Sequence, residues 1–184
     1  MLFEKLLIAH CSPTLASLKI ANLFSCPFTT EQELSDCVQY WNEQMKKTGI
    51  CLEILRQGRR HALIYVFRSS ELKERLEDRA VVRFLGAYGY KNMDLSSALK
   101  HLKERLQENS EFPHEIGIFL GYPLEDVIGF IDNHGKNFQV SGLWKVYGDK
   151  EKAVQQFGRY KKCTDLYLRL WNHGKSVRQL TVAA

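Results

Sequence analysis

The chain has 184 residues, of which 45% are hydrophobic and 26% charged, and its formal net charge is +5 at pH 7. These proportions are typical of a globular domain with a sizeable core, and they exclude disordered, collagen-like and low-complexity proteins. The longest apolar runs, such as Ala62 to Phe67, are far too short to cross a bilayer. The first residues lack the basic segment that opens a signal peptide. We therefore expect one globular domain over residues 1–184, cytoplasmic and without a membrane partner.

Two features of the composition bear on partners and metals. Lysines and arginines alternate with acids in stretches such as "ELKERLEDR", which is typical of solvated helix faces, so we expect no nucleic-acid partner. Five cysteines occur without CxxC or zinc-type spacing, which predicts reduced thiols and no metal site. They are Cys11, Cys26, Cys37, Cys51 and Cys163. Nothing in the pattern identifies a cofactor.

The first predicted element is a helix over residues 2–10. Pro13 should stop it, because proline lacks an N–H and restricts the residue before it. The next stretch, "SLKIANLFSC", fits a strand or a helical turn equally well. A second helix begins at Thr30, which forms a capping box with Glu33, and ends at Gly49.

Residues 51–68, "CLEILRQGRRHALIYVFR", carry the strongest β signal of the chain. Two apolar runs flank Gly58-Arg59, which predicts a hairpin with a two-residue turn and a positive φ at Gly58. The run "ALIYVF" is apolar on both faces, so we expect it at the centre of the sheet.

The second half of the chain is predicted to be mostly helical. Helices are expected over residues 70–86 and 94–109, the latter with Asp94 as its N-cap. The stretch "HEIGIFLGYPLEDVIGFIDNHGKN" predicts a short strand or turn that leads into a helix beginning at Pro123. The inward face of that helix should carry Leu124, Val127, Ile128 and Ile131.

The last predicted strand is "SGLWKVYG", and Asp149 then caps a long C-terminal helix that Gly174 ends. Because the strands do not alternate regularly with helices, the predicted class is α+β. We expect a central, mostly antiparallel sheet packed by several helices.

The segment "HCSPTLASLK", residues 10–19, is polar where its apolar neighbours predict partial burial. Buried polar groups need partners, so these side chains either bond to nearby backbone or form the wall of a pocket. In the pocket interpretation, Lys19 faces a cleft and offers positive charge to an anionic ligand, and Thr14 bonds to backbone. The candidate binding residues here are His10, Cys11, Ser12, Thr14, Lys19 and Asn22.

An alternative makes Cys11 a catalytic nucleophile whose pKa is lowered by His10 or Lys19. Adjacent residues on a helix point about 100° apart, so His10 is badly placed to act as its base. A base from elsewhere, such as His114 or His134, would be needed.

Several segments together resemble a known family. They are "HCSPTLASLKIANLFS", "ALIYVFR", "HEIGIFLGYPLEDVIGFI", "GLWKVYGD" and "YKKC", and they extend over nearly the whole chain. They are similar to a bacterial family of anaerobic Firmicutes known as domain of unknown function 3793. The resemblance implies a cytoplasmic protein of an anaerobe and implies no activity. The family pattern includes polar residues that packing alone does not require: Thr14, Lys19, Asn22, Tyr122 and Lys145.

The function that we expect from these residues is binding of a small anionic organic ligand or cofactor. Its pocket would combine residues 10–22, the Gly121-Tyr122-Pro123 turn and Lys145. The two lysines offer charge and the tyrosine offers a flat apolar wall. Two alternatives stay open, a thiol-dependent enzyme that uses Cys11 and an accessory protein-interaction module recognisable by an exposed apolar patch. The sequence does not indicate an oligomeric state.

Overall fold

The computed structural model describes residues 2–108 and 112–183. The chain divides into two compact units, the first formed by residues up to Leu72 together with those from Cys163 onward, and the second by Lys73–Lys162. The helices are α1 (Leu2–Leu15), α2 (Glu31–Met45), α3 (Ser69–Glu77), α4 (Arg79–Gly86), α5 (Leu95–Glu108), α6 (Ile116–Phe119), α7 (Leu124–Asp132), α8 (Lys150–Asn172) and α9 (Val177–Leu180). The strands are β1 (Ala21–Pro27), β2 (Ile50–Gln57), β3 (His61–Arg68), β4 (Val140–Ser141) and β5 (Lys145–Val146).

The first unit is built on a three-stranded antiparallel sheet in the order β1-β3-β2. Strand β3, which contains the "ALIYVF" run, lies between the other two strands, as its two apolar faces predict. Its last five residues are all buried. The ambiguous stretch after the first helix forms β1, which pairs with β3 from Ala21↔Phe67 to Pro27↔His61. The antiparallel sheet with its helices confirms the predicted α+β class.

The predicted geometry of the hairpin turn is wrong. Gly58 does not have a positive φ. Its N–H donates to the carbonyl of His61 at 2.9 Å, which places Arg59 and Arg60 at the centre of the turn. The turn therefore lies one residue later than the Gly-Arg pair suggests, and it does not need glycine's freedom. A bulge between Ile54 and Arg56 shifts the register of β2 before this turn.

The first helix does not stop before Pro13, contrary to expectation, but continues to Leu15. Pro13 has no N–H and so removes one hydrogen bond of the helix, and only Thr14 and Leu15 follow it in α1. Helix α1 ends in a Schellman motif, with Leu18 N–H donating to the Pro13 carbonyl at 2.8 Å and Ser17 N–H to the Thr14 carbonyl at 3.2 Å. Ser17 takes the left-handed position (φ 57°) where glycine is usual.

A buried arginine also stabilises the end of α1. Arg68, at the end of β3, is 1% exposed, and its Nε donates to the Thr14 carbonyl at 2.8 Å. Its Nη2 donates to the carbonyls of Leu15 at 3.0 Å and Val182 at 2.8 Å. A positive charge at a helix C-terminus is favoured by the helix dipole and by the unpaired carbonyls there. Residues far apart in sequence thus fix the end of the first helix.

Thr30 is the N-cap of α2 as predicted, and its hydroxyl accepts from the Glu33 N–H at 3.2 Å, which is one of the two bonds of the predicted capping box. A short 3₁₀ turn, Lys46–Thr48, follows the helix, and Gly49 (φ 74°) then reverses the chain. The apolar side of α2 packs into one core cluster with α1 and the sheet. Its buried residues are Leu34, Val38, Trp41 and Met45.

The helix predicted over residues 70–86 is two helices, α3 and α4. Asp78 interrupts it and caps α4, because its carboxylate accepts from the N–H groups of Ala80 and Val81. Asp94 caps α5 as expected, accepting from Ser97 N–H at 3.0 Å. Residue 109, the predicted end of that helix, lies outside the described residues.

The stretch before Pro123 forms the short helix α6 and a turn at Gly121 (φ 75°), and Pro123 occupies the N-cap of α7 rather than its first helical position. On α7 the prediction of an inward Ile128 is wrong, since 37% of that residue is exposed. Asp126 is buried in its place, beside the expected Val127. The prediction of one strand over "SGLWKVYG" is wrong, because the chain turns back between Ser141 and Lys145 and forms the small antiparallel pair β4–β5. Among the described helices, none is both long and apolar enough to cross a membrane.

Candidate functional site

The polar segment at the end of α1 belongs to the first unit, and Cys11 lies inside its apolar core. Cys11 has no exposed surface and packs in the cluster that contains Leu7, Leu15 and Phe24. Burial raises the pKa of its thiol strongly, and the nearby Lys19 lowers it by less. A nucleophilic cysteine needs the opposite conditions, a lowered pKa and an accessible sulfur. The surroundings of Cys11 therefore oppose the thiol-enzyme alternative.

Lys19 is buried with its charged group inside the fold. The residue is 6% exposed, and its Nζ donates to the Ala21 carbonyl. Burial lowers the pKa of Lys19 from 10.5 to about 8, while Cys11 raises it by less. The ammonium is thus shielded from bulk solvent, as expected, but it is bonded to backbone within its own unit.

The other polar residues of this segment find partners nearby. The Ser12 hydroxyl donates to the Ile8 carbonyl, one helical turn back. Thr14 Oγ1 donates to the side-chain oxygen of Asn22 at 2.7 Å, so the expected Thr14 bond to backbone is wrong. His10 is exposed and stacks on Phe24, with ring centroids 5.9 Å apart. The hydroxyls of Ser12 and Thr14 and the ammonium of Lys19 are thus hydrogen-bonded within the first unit, although they made the segment look like a pocket wall.

The second unit contains a cavity of about 390 Å³, and Tyr122 and Lys145 both line it. The cavity lies between α6, α7 and the β4–β5 pair. None of its described lining residues comes from the 10–22 segment. The lining consists of Phe112, His114, Ile116, Gly117, Leu120, Tyr122, Asp126, Val127, Phe130, Ser141, Gly142, Leu143, Trp144 and Lys145.

One wall of the cavity is a stack of aromatic rings. Tyr122 stacks on Trp144 with centroids 4.8 Å apart and an interplanar angle of 26°, and Phe157 meets Trp144 edge-on at 4.5 Å. The Tyr122 hydroxyl approaches the Leu143 carbonyl at 3.4 Å. Burial, and to a lesser degree Tyr160, raises the pKa of Tyr122 to about 12, so its hydroxyl stays protonated at neutral pH. The wall is flat, apolar and neutral.

Asp126 holds this wall in place, and sequence reasoning missed it. It is 3% exposed, and its Oδ2 accepts from Trp144 Nε1 at 2.7 Å. Its Oδ1 accepts from the N–H groups of Tyr147 at 2.7 Å and Gly148 at 2.8 Å. Three donors therefore compensate the buried carboxylate and tie α7 to β5. An acid in the first turn of a helix is ordinary, so the sequence carried no signal for this role.

Lys145 brings positive charge to the lining of the cavity. Its Nζ donates to the Gly135 carbonyl at 2.8 Å and lies 4.9 Å from the ring centre of Phe138 and 5.7 Å from that of Phe130. These are cation–π distances, which fix the ammonium without neutralising it. His114 packs edge-on against Phe130 at 4.8 Å. An ammonium has three donors, and the Gly135 carbonyl takes one of them.

The described residues contain no group of three or more His, Cys, Asp or Glu side chains that could hold a metal ion. The polar and charged groups that line the cavity are the Lys145 ammonium, the His114 imidazole, the Ser141 hydroxyl, the Tyr122 phenol and the Asp126 carboxylate. Groups of this kind can hold a ligand by hydrogen bonds, charge and aromatic stacking.

Comparison with known proteins identifies a family and no individual relative. No curated protein matches the chain, and no solved structure does. One family profile matches residues 7–181, which includes most of both units and all the candidate site residues. The resemblance noted from the sequence is thereby confirmed at the level of the family. The chain belongs to the family described as "Protein of unknown function (DUF3793)".

Proposed function

We propose that the protein binds a small anionic organic molecule in the cavity of its second unit. The observation that carries this proposal is an apolar, aromatic-walled cavity of about 390 Å³ with the Lys145 ammonium at its side. Pockets for small molecules combine these properties, a volume of roughly 300–1,000 Å³ with apolar walls and a few placed polar groups.

The balance of charge supports an anion over a cation. Among the described lining residues, Asp126 is the one acid. Three hydrogen-bond donors of the protein already compensate its negative charge. Lys145 has a neutral carbonyl and two rings as neighbours, with no acid in ion-pair contact among the described residues. A ligand carboxylate, sulfonate or phosphate would supply the missing counter-charge.

The proposal differs from the expectation drawn from the sequence in one respect. It rests on the Gly121-Tyr122-Pro123 turn and Lys145 and does not use residues 10–22. The buried polar side chains of that segment are hydrogen-bonded within the first unit. A cytoplasmic location in an anaerobic bacterium is part of the same proposal and rests on the family resemblance.

The experiment uses two fluorescent probes of nearly the same shape, 1-anilinonaphthalene-8-sulfonate, which is anionic, and N-phenyl-1-naphthylamine, which is neutral. The anionic probe should bind with an equilibrium constant that Lys145→Met weakens about tenfold, which corresponds to about 1.4 kcal/mol. The neutral probe should bind wild type and Lys145→Met alike, because methionine keeps the apolar stem.

Lys136→Met is the matched control, since Lys136 is exposed and its loss changes the net charge equally. It should leave both probes unaffected. If Lys145→Met and Lys136→Met weaken the anionic probe to the same extent, the effect is one of net charge and the proposed site is wrong. Native mass spectrometry of the wild type and Lys145→Met should in parallel reveal whether a co-purifying anion is lost with the charge.

A further inference from the structure

We infer that the tip of the β2–β3 hairpin is a docking surface for an acidic segment of a partner protein. The basic tip consists of Arg56, Arg59, Arg60 and His61, all of them exposed. They occur within six consecutive residues, "RQGRRH", at the end of the sheet of the first unit. This inference uses residues of the first unit and does not depend on the cavity.

The arginines of the basic tip are not used by the fold. Within residues 2–108 and 112–183, none of their three guanidinium groups has a hydrogen bond or an ion pair. Other arginines are engaged: Arg68 binds three carbonyls, and Arg105 pairs with the buried Glu115. Neighbouring like charges without partners repel one another, so the tip lowers stability slightly unless an anion meets it.

The backbone that presents these side chains is held in place. Gly58 N–H donates to the His61 carbonyl at 2.9 Å, and Phe28 N–H donates to the Arg60 carbonyl at 3.1 Å. The second bond ties the tip to the residue that follows β1. A partner therefore meets a surface whose backbone is already ordered, which lowers the entropy cost of binding.

The charges around the basic tip favour a compact anionic partner. Guanidinium groups form paired hydrogen bonds with carboxylates, and arginine clusters are a common means of recognising acidic motifs. Glu31 and Glu33 follow shortly after Phe28, which is bonded to the tip, and both are exposed. The excess of positive charge is therefore limited to the few residues of the tip, an extent that suits a short acidic segment.

The test is fluorescence anisotropy with a fluorescein-labelled hexaglutamate peptide at low salt. Arg59→Gln/Arg60→Gln should weaken binding about fivefold, the scale expected for two exposed charge pairs. The matched control is Arg79→Gln/Arg83→Gln, which removes two exposed arginines of α4 and should leave the affinity within about twofold of wild type.

Near-ultraviolet circular dichroism checks that both double variants are folded. Equal losses in the two variants would overturn the inference, because net charge would then explain the binding. Tighter binding of a short DNA duplex than of the peptide, lost in Arg59→Gln/Arg60→Gln, would also overturn it and would assign the tip to nucleic acid. No measurable binding of the peptide by the wild type would refute it outright.

Discussion

Replacing Lys19 with methionine should stabilise the protein at neutral pH, and the gain should vanish as the pH approaches 10. Burial lowers the pKa of Lys19 from 10.5 in the unfolded chain to about 8 in the folded protein. Keeping this ammonium charged in the core therefore costs the folded state about 3 kcal/mol at pH 7. Methionine keeps the apolar stem but loses the hydrogen bond to Ala21, worth about 1 kcal/mol. The net gain should be about 2 kcal/mol.

The pH dependence follows from the direction of this pKa change. Between about pH 8 and 10.5, the unfolded chain binds a proton at Lys19 that the folded protein has released. The free energy of unfolding of the wild type must therefore rise with pH across this window, and the methionine variant lacks that rise. The difference between the two proteins should shrink by about 2–3 kcal/mol from pH 7 to pH 10, where they should be about equally stable.

The measurement is urea unfolding of both proteins at several pH values from 7 to 10, followed by tryptophan fluorescence, since Trp41 lies in the same core cluster as Cys11. Lys5→Met is the control, because Lys5 is an exposed lysine on α1 and its loss removes a charge that the core does not hold. A difference in unfolding free energy that stays constant from pH 7 to pH 10 would refute the reasoning. It would mean that Lys19 is not a charged group held in a dehydrated core.

Two further substitutions test local features of the fold. Ser17→Gly should raise the unfolding free energy by about 0.5–1 kcal/mol, because glycine adopts the left-handed conformation at the end of α1 without strain. Ser17→Ala should not stabilise the protein. Thermal unfolding measures both variants, and a stabilising Ser17→Ala would contradict the Schellman assignment. Asp126→Asn should cost about 2–3 kcal/mol, since the amide cannot accept from all three donors, and it should shift the fluorescence of Trp144. Asp132→Asn, an exposed acid on the same helix, is its control, and equal effects of the two would argue against the buried carboxylate.

Features that depend on neighbouring residues could be predicted from the sequence. Thr30 and Asp94 cap their helices as expected, because a cap is a hydrogen bond to a residue three positions along the chain. The apolar run of β3 predicts its central place, since such a strand needs cover on both faces. Tyr122 and Lys145 were singled out by the resemblance to the family, and the structure brings both to one cavity.

Features that depend on distant contacts could not be predicted. Helix α1 passes Pro13 and ends in a motif whose carbonyls are bound by Arg68, more than fifty residues away. Lys19 looks like the wall of a ligand site, yet a backbone carbonyl is its partner. Asp126 looks like an ordinary first-turn acid, and its role depends on donors from Trp144 and beyond.

The sequence by itself thus determined the family, the α+β class, most helix starts and the central strand, because local hydrogen bonding and the periodicity of apolar residues specify them. The tertiary structure decided which polar groups are satisfied within the fold and which line the cavity. Whether a polar group is satisfied depends on where the fold brings donors and acceptors together. Burial then raises the free-energy cost of any group that stays unpaired. For this reason most of the polar segment at the end of α1 is buried in the core of the first unit, while Lys145 lines a cavity in the second unit.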